Sequence, residues 1–135
     1  MKRFLIATHR SMAEGMYDTI KFFTGEGYDI RYLSAYLNDN EISGKLLDEL
    51  TKIDETEQLI IFTDISSGSV TQKFYPFIDQ EKIFLVSGIN LPLILSVVLS
   101  TEKEFTGPIL DQLVEDAKQQ IIQIKPLEKI SSDDE

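Results

Sequence analysis

Phe4-Leu5-Ile6-Ala7-Thr8-His9-Arg10-Ser11-Met12-Ala13 is the stretch that decides the fold. Its apolar run does not alternate, as expected of a strand covered on both faces. A strand is predicted over Lys2–Thr8. Directly behind it a helix starts from Ser11, with Met12, Met16, Ile20 and Phe23 at helical spacing and Ala13 and Tyr17 beside them. Gly25 and Gly27 end that helix, because glycine enters the left-handed region without steric penalty. His9, the single histidine of the chain, therefore falls at the carboxyl end of a first strand. In an open α/β sheet, ligands gather in the crevice at those strand ends.

The same unit recurs along the chain. Tyr28–Ala35 reads as a second strand, interrupted by Asp29 and Arg31 and so placed nearer an edge. Asn38-Asp39-Asn40 offers capping oxygens to a helix whose apolar stripe is Ile42, Leu46, Leu47, Leu50 and Ile53. Gln58–Thr63 is a third strand, followed by a helix starting near Ser67 or Gly68. That helix carries Val70, Phe74, Phe77 and Ile78, and Pro76 bends or ends it. Lys82–Ser87 is a fourth strand. Asn90 and Pro92 open a helix through Leu99, and Thr106-Gly107-Pro108 opens another with the stripe Ile109, Leu110, Leu113, Val114, Ala117 and Ile121.

This alternation predicts an α/β fold with an open, mostly parallel sheet: four parallel strands with helices on both faces. Ile122–Ile130 reads as extended around Pro126, which suits a C-terminal edge strand. Residues 1–130 form a single domain, and 131–135 an acidic disordered tail.

Composition narrows the function. The 135 residues contain no cysteine, which removes disulfides, thiolate metal sites and cysteine nucleophiles and fits a reducing, cytoplasmic compartment. With one histidine, no metal site is expected. A net charge of −10 disfavours nucleic acid and anionic membrane surfaces. It serves either solubility or the approach of a basic protein. The apolar segment Ile83–Leu99 is broken by Ser87-Gly88-Ile89-Asn90-Leu91-Pro92, and each half is far short of the roughly 20 residues that span a bilayer, so no membrane insertion is expected.

Three loops share one sheet edge: Thr8-His9-Arg10, Asp64–Ser69 and Ser87–Asn90. His9 there is a nucleophile, a general base or a structural histidine. Asp64 is either a helix cap, worth about 1 kcal/mol, or the carboxylate that fixes the imidazole tautomer and frees the other nitrogen for attack. Ser67-Gly68-Ser69 at a helix start offers amides and hydroxyls to an anion. Arg10 is a solvated surface charge or a partner for phosphate oxygens. There is no P-loop, dinucleotide fingerprint or hydrolase elbow, so no cofactor is expected. A His–Asp pair beside an anion-binding turn suits a phosphohistidine carrier.

At these residues the chain resembles the mannose-type EIIA component of the bacterial phosphoenolpyruvate-dependent sugar phosphotransferase system. The likeness rests on Ile6-Ala7-Thr8-His9-Arg10-Ser11-Met12-Ala13-Glu14-Gly15-Met16, on Phe62-Thr63-Asp64-Ile65-Ser66-Ser67-Gly68-Ser69 and on Val86-Ser87-Gly88-Ile89-Asn90-Leu91-Pro92-Leu93. Their order and spacing match over about residues 1–122. The resemblance implies that His9 accepts a phosphoryl group from HPr and passes it to a cognate EIIB. Asp64 would hold the ring, and Ser69 with neighbouring amides would contact the phosphoryl oxygens. It also implies a homodimer that exchanges its C-terminal strand, here Ile122–Ile130. Two departures stand out: the family commonly has glycine where this chain has Arg10, and Gly-Gly-Ser-Pro where it has Ser67-Gly68-Ser69-Val70. A phosphorylation-sensing regulatory module, the phosphotransfer subunit of a dihydroxyacetone kinase and a small-molecule acid–base enzyme remain alternatives. The last predicts a deep enclosed pocket around His9, whereas a carrier needs an open one.

Overall fold

The computed structural model describes residues 1–36 and 43–127. Four strands, β1 (Lys2–His9), β2 (Asp29–Ala35), β3 (Gln58–Thr63) and β4 (Ile83–Ser87), form one sheet in the order β2-β1-β3-β4, parallel throughout. The predicted four-stranded parallel sheet is therefore present, and β2 lies at an edge as its polar interruptions require. Between and after the strands run α1 (Met12–Thr24), α2 (Ser43–Thr51), α3 (Ser69–Phe74), α4 (Leu91–Val98) and α5 (Gly107–Lys118).

Successive strand residues point to opposite faces, and both faces are covered. On one side Phe4, Ile6, Ile60, Phe62 and Phe84 pack with Ala13 and Ile20 of α1, Ile94 and Val97 of α4, and Leu110 and Ala117 of α5. On the other, Leu5, Ala7, Leu33, Leu59 and Ile61 pack with Leu46 of α2 and with Val70 and Phe74 of α3. This two-sided burial is the physical reason the central strands read as unbroken apolar runs.

Local chemistry sets the joints. Thr8 is buried, and its Oγ1 accepts the Ala13 amide at 2.7 Å, tying the strand end to the first turn of α1. Asn90 caps α4 by accepting the Leu93 amide at 2.8 Å, and its Nδ2 donates to the Ala117 carbonyl at 3.1 Å, joining α4 to α5. Pro76 ends α3, which passes into a 3₁₀ turn over Tyr75–Phe77.

Several expectations are corrected. In α1, Met12 and Phe23 face solvent, as do Leu47 in α2 and Phe77 after α3; a stripe read by spacing is wider than the face the sheet covers. The last helix stops at Lys118, so Ile121 lies outside it and is exposed. Residues 122–127 form no strand and are exposed. A strand exists through its pairing, and a single chain gives this stretch no neighbour. Asn38-Asp39-Asn40, Ile42, residues 128–130 and the tail 131–135 lie outside the described residues.

Candidate functional site

β1 and β3 are adjacent and parallel, so their carboxyl ends bring His9 and Asp64 together from 55 residues apart. Asp64 Oδ2 accepts from the His9 backbone amide at 3.0 Å and lies 3.0 Å from ring Nδ1; Oδ1 lies 3.3 Å from the same nitrogen. Oδ1 also accepts the Ile65 amide at 3.1 Å. Burial opposes the ionised form of Asp64, but the bonds from the His9 amide and ring outweigh it and hold the carboxyl below the ordinary carboxylate range. An ionised Asp64 places the proton of a neutral imidazole on Nδ1 and leaves the Nε2 lone pair free.

Nε2 faces Ser69, whose Oγ lies 3.4 Å away at the start of α3. Gly68 precedes it, and a side chain there would meet His9 Cε1 at 3.0 Å. Glycine thus lets the α3 entry come close against the ring. Ser67 is exposed, with its carbonyl accepting from Gln72 Nε2 at 3.4 Å. The His9 side chain is 34% exposed, against 10% for Asp64, so the imidazole is partly open while the carboxylate beside it is covered. Among the described residues the imidazole is thus left partly open, the arrangement a carrier needs.

Arg10 has φ of 54°, a left-handed conformation that costs a non-glycine residue roughly 1–2 kcal/mol. Its amide donates to the Ala35 carbonyl at 2.6 Å and its Nη1 to the Tyr36 carbonyl at 3.3 Å, so the guanidinium reaches toward the end of β2.

The family model described as the PTS system fructose IIA component, EIIA-man, matches residues 3–114. The chain belongs to the EIIA-man family. It is thus a phosphotransfer component of the sugar phosphotransferase system. No curated protein matches it. Among solved structures, it is similar to a candidate permease of the phosphoenolpyruvate-dependent sugar phosphotransferase system from Klebsiella pneumoniae subsp. pneumoniae, with 28% identity over 90% of each chain and a TM-score of 0.81. The mannose/sorbose-specific IIA subunit of Enterococcus faecalis shares the fold at 18% identity, covering 96% of this chain and all of that one, with a TM-score of 0.76. So does the IIA protein associated with the fucose utilization operon of Streptococcus pneumoniae, at 22% identity over 90% of this chain and 92% of that one, also at 0.76.

The His9 cluster contains further residues to which the sequence did not point. Tyr36 stacks on the His9 ring, with centroids 5.5 Å apart and planes 28° from parallel, and its hydroxyl is hydrogen-bonded to Ser69 Oγ at 2.8 Å. Beneath Asp64, Thr63 Oγ1 donates to Ser87 Oγ at 2.8 Å and lies 2.7 Å from Thr71 Oγ1. Thr71 Oγ1 in turn donates to the Ile65 carbonyl at 2.6 Å. These hydroxyls link β3, α3 and β4 and brace the Asp64 loop. Thr63, a hydroxyl residue closing the apolar run Leu59-Ile60-Ile61-Phe62, was the one signal in the sequence pointing that way. Among the described residues, no helix is long and apolar enough to cross a membrane.

Proposed function

We propose that this chain is a phosphohistidine carrier, in which His9 accepts a phosphoryl group from HPr and delivers it to a cognate EIIB for sugar uptake. The observation that carries the reading is the division of the His9 ring: Nδ1 against the Asp64 carboxylate, Nε2 toward Ser69 on an open surface. In the transfer the Nε2 lone pair forms a bond to phosphorus, while the bond from phosphorus to the donor atom breaks and that atom keeps its electron pair. The ring keeps its Nδ1 proton and gains positive charge, which the adjacent carboxylate offsets. Ser69, with Ser67, Gly68 and Arg10 around it, contacts the phosphoryl oxygens. Delivery to EIIB reverses the step with a new acceptor.

An exposed imidazole fits a reaction whose second reactant is another protein. The subunit acts in the cytoplasm as a homodimer exchanging residues 122–130. The exposed Ile122, Ile124 and Leu127 support a covering partner chain.

The test is incubation with phosphoenolpyruvate, enzyme I and HPr. An acid-labile, base-stable phosphoprotein is expected, absent in His9→Ala, and its label should move to EIIB. No uptake from HPr sinks the proposal, and uptake by His9→Ala sinks the residue. Label that is retained in the presence of EIIB points to the regulatory module instead.

A further inference from the structure

We infer that Tyr36 is a positioning residue of the phosphoryl site, its ring seating one face of the His9 imidazole and its hydroxyl aiming Ser69 at Nε2. The inference rests on the carrier reading and deepens it. Asp64 restrains only the Nδ1 edge of the ring, so a second contact is needed to fix the tilt of Nε2. The Tyr36 ring supplies it at a centroid distance of 5.5 Å.

The direction of the Tyr36–Ser69 bond follows from proton accounting. Nδ1 carries the proton toward Asp64, so Nε2 of the neutral ring is an acceptor. The group facing it is the Ser69 hydroxyl, which has one proton to give. The phenol must then donate to Ser69 Oγ rather than accept from it. Once Nε2 is bonded to phosphorus its lone pair is gone, and the Ser69 proton turns to a phosphoryl oxygen without disturbing the phenol.

The backbone supports this role independently. Tyr36 has φ of 60° and Arg10 has φ of 54°, two non-glycine left-handed residues at adjoining strand ends. Such conformations persist where the surroundings over-determine them and gather at functional sites. Arg10 fastens the pair, its amide to the Ala35 carbonyl and its guanidinium to the Tyr36 carbonyl.

The test uses the full chain as wild type, Tyr36→Phe, Tyr36→Ala, Ser69→Ala and the Tyr36→Phe/Ser69→Ala double variant. Phosphoryl uptake from HPr and the 15N resonance of Nε2 in the unphosphorylated protein are measured. Tyr36→Phe keeps the stack and should slow uptake about threefold to tenfold, the worth of one neutral hydrogen bond. Tyr36→Ala, which also loses the stack, should slow it further. The double variant should be no slower than Ser69→Ala, because Tyr36 acts through that hydroxyl. Uptake and an Nε2 resonance unchanged in Tyr36→Phe overturn the inference, as do additive effects in the double variant. A wild-type chain that takes no phosphoryl group overturns the carrier reading instead. The resonance then still decides for Tyr36, supporting it if it moves in Tyr36→Phe and overturning it if it does not.

Discussion

One oxygen of Asp64, Oδ2, accepts from the His9 amide and lies against the His9 ring nitrogen, each at 3.0 Å. A single carboxylate therefore fixes both the backbone and the side chain of the residue it serves. Asp64→Asn keeps an oxygen for one of these bonds but loses the charge facing the ring after phosphorylation. Phosphoryl uptake from HPr should fall about 100-fold or more, the scale of a mispositioned or mistautomerised catalytic imidazole. Rates within a few-fold of wild type would remove Asp64 from the reaction.

The same bonds make stability depend on acid. Asp64 is half-buried and Asp79 lies on the exposed surface, and the partial loss of water around each carboxyl opposes ionisation. The His9 amide and ring outweigh burial for Asp64, and the amides of Ile83, Glu81 and Lys82 do so for Asp79, so both titrate below the usual carboxylate range. A group with a lowered folded-state pKa binds fewer protons folded than unfolded. Its stabilisation is complete above its unfolded value, about pH 4, and drains away as pH falls through its folded value. Urea midpoints measured downward from neutral pH should hold until near that point and then decline. Asp64→Asn and Asp79→Asn should each flatten the decline; an unchanged slope would show that these carboxyls are not the acid-sensitive groups.

The sheet was legible because burial on both faces writes a strand as an unbroken apolar run, and Leu59-Ile60-Ile61-Phe62 has few other readings. His9 and Asp64 were legible because parallel strands place their ends side by side. Tyr36 was not. One tyrosine after an edge strand carries no period, and its approach to His9 depends on a left-handed φ that spacing does not encode. The outward turn of Phe23 was hidden for the opposite reason: it obeys helical spacing, but the face it extends runs past the edge of what the sheet covers.

Arg10 sits where its backbone favours glycine, so Arg10→Gly separates conformation from charge. Relief of the left-handed strain, roughly 1–2 kcal/mol, is partly offset by the greater freedom of unfolded glycine, roughly 0.5–1 kcal/mol. Thermal or urea unfolding should show a protein as stable as wild type or slightly more so. Arg10→Ile, β-branched at the same φ, should be clearly less stable. An equal loss in both variants would mean that the bond from Arg10 to the Tyr36 carbonyl outweighs the strain.

Gly68 tests how closely the ring must be held. Its φ of −75° and ψ of 159° suit any residue, so alanine there introduces no backbone strain. The added Cβ would meet His9 Cε1 at 3.0 Å and the Ile65 carbonyl oxygen at 3.2 Å. The carbonyl belongs to the loop braced by Thr71, so the imidazole is the part that yields, by a few tenths of an ångström. Gly68→Ala should slow phosphoryl uptake about tenfold, since small misplacements of a reacting atom are costly, while stability falls by about 1 kcal/mol. Gly15→Ala is the control: an alanine Cβ in α1 meets nothing within 4 Å, and it should gain about 0.5–1 kcal/mol with uptake unchanged. Normal uptake in Gly68→Ala would mean that the imidazole reaches its donor from more than one position, and the close approach of α3 would then serve packing alone.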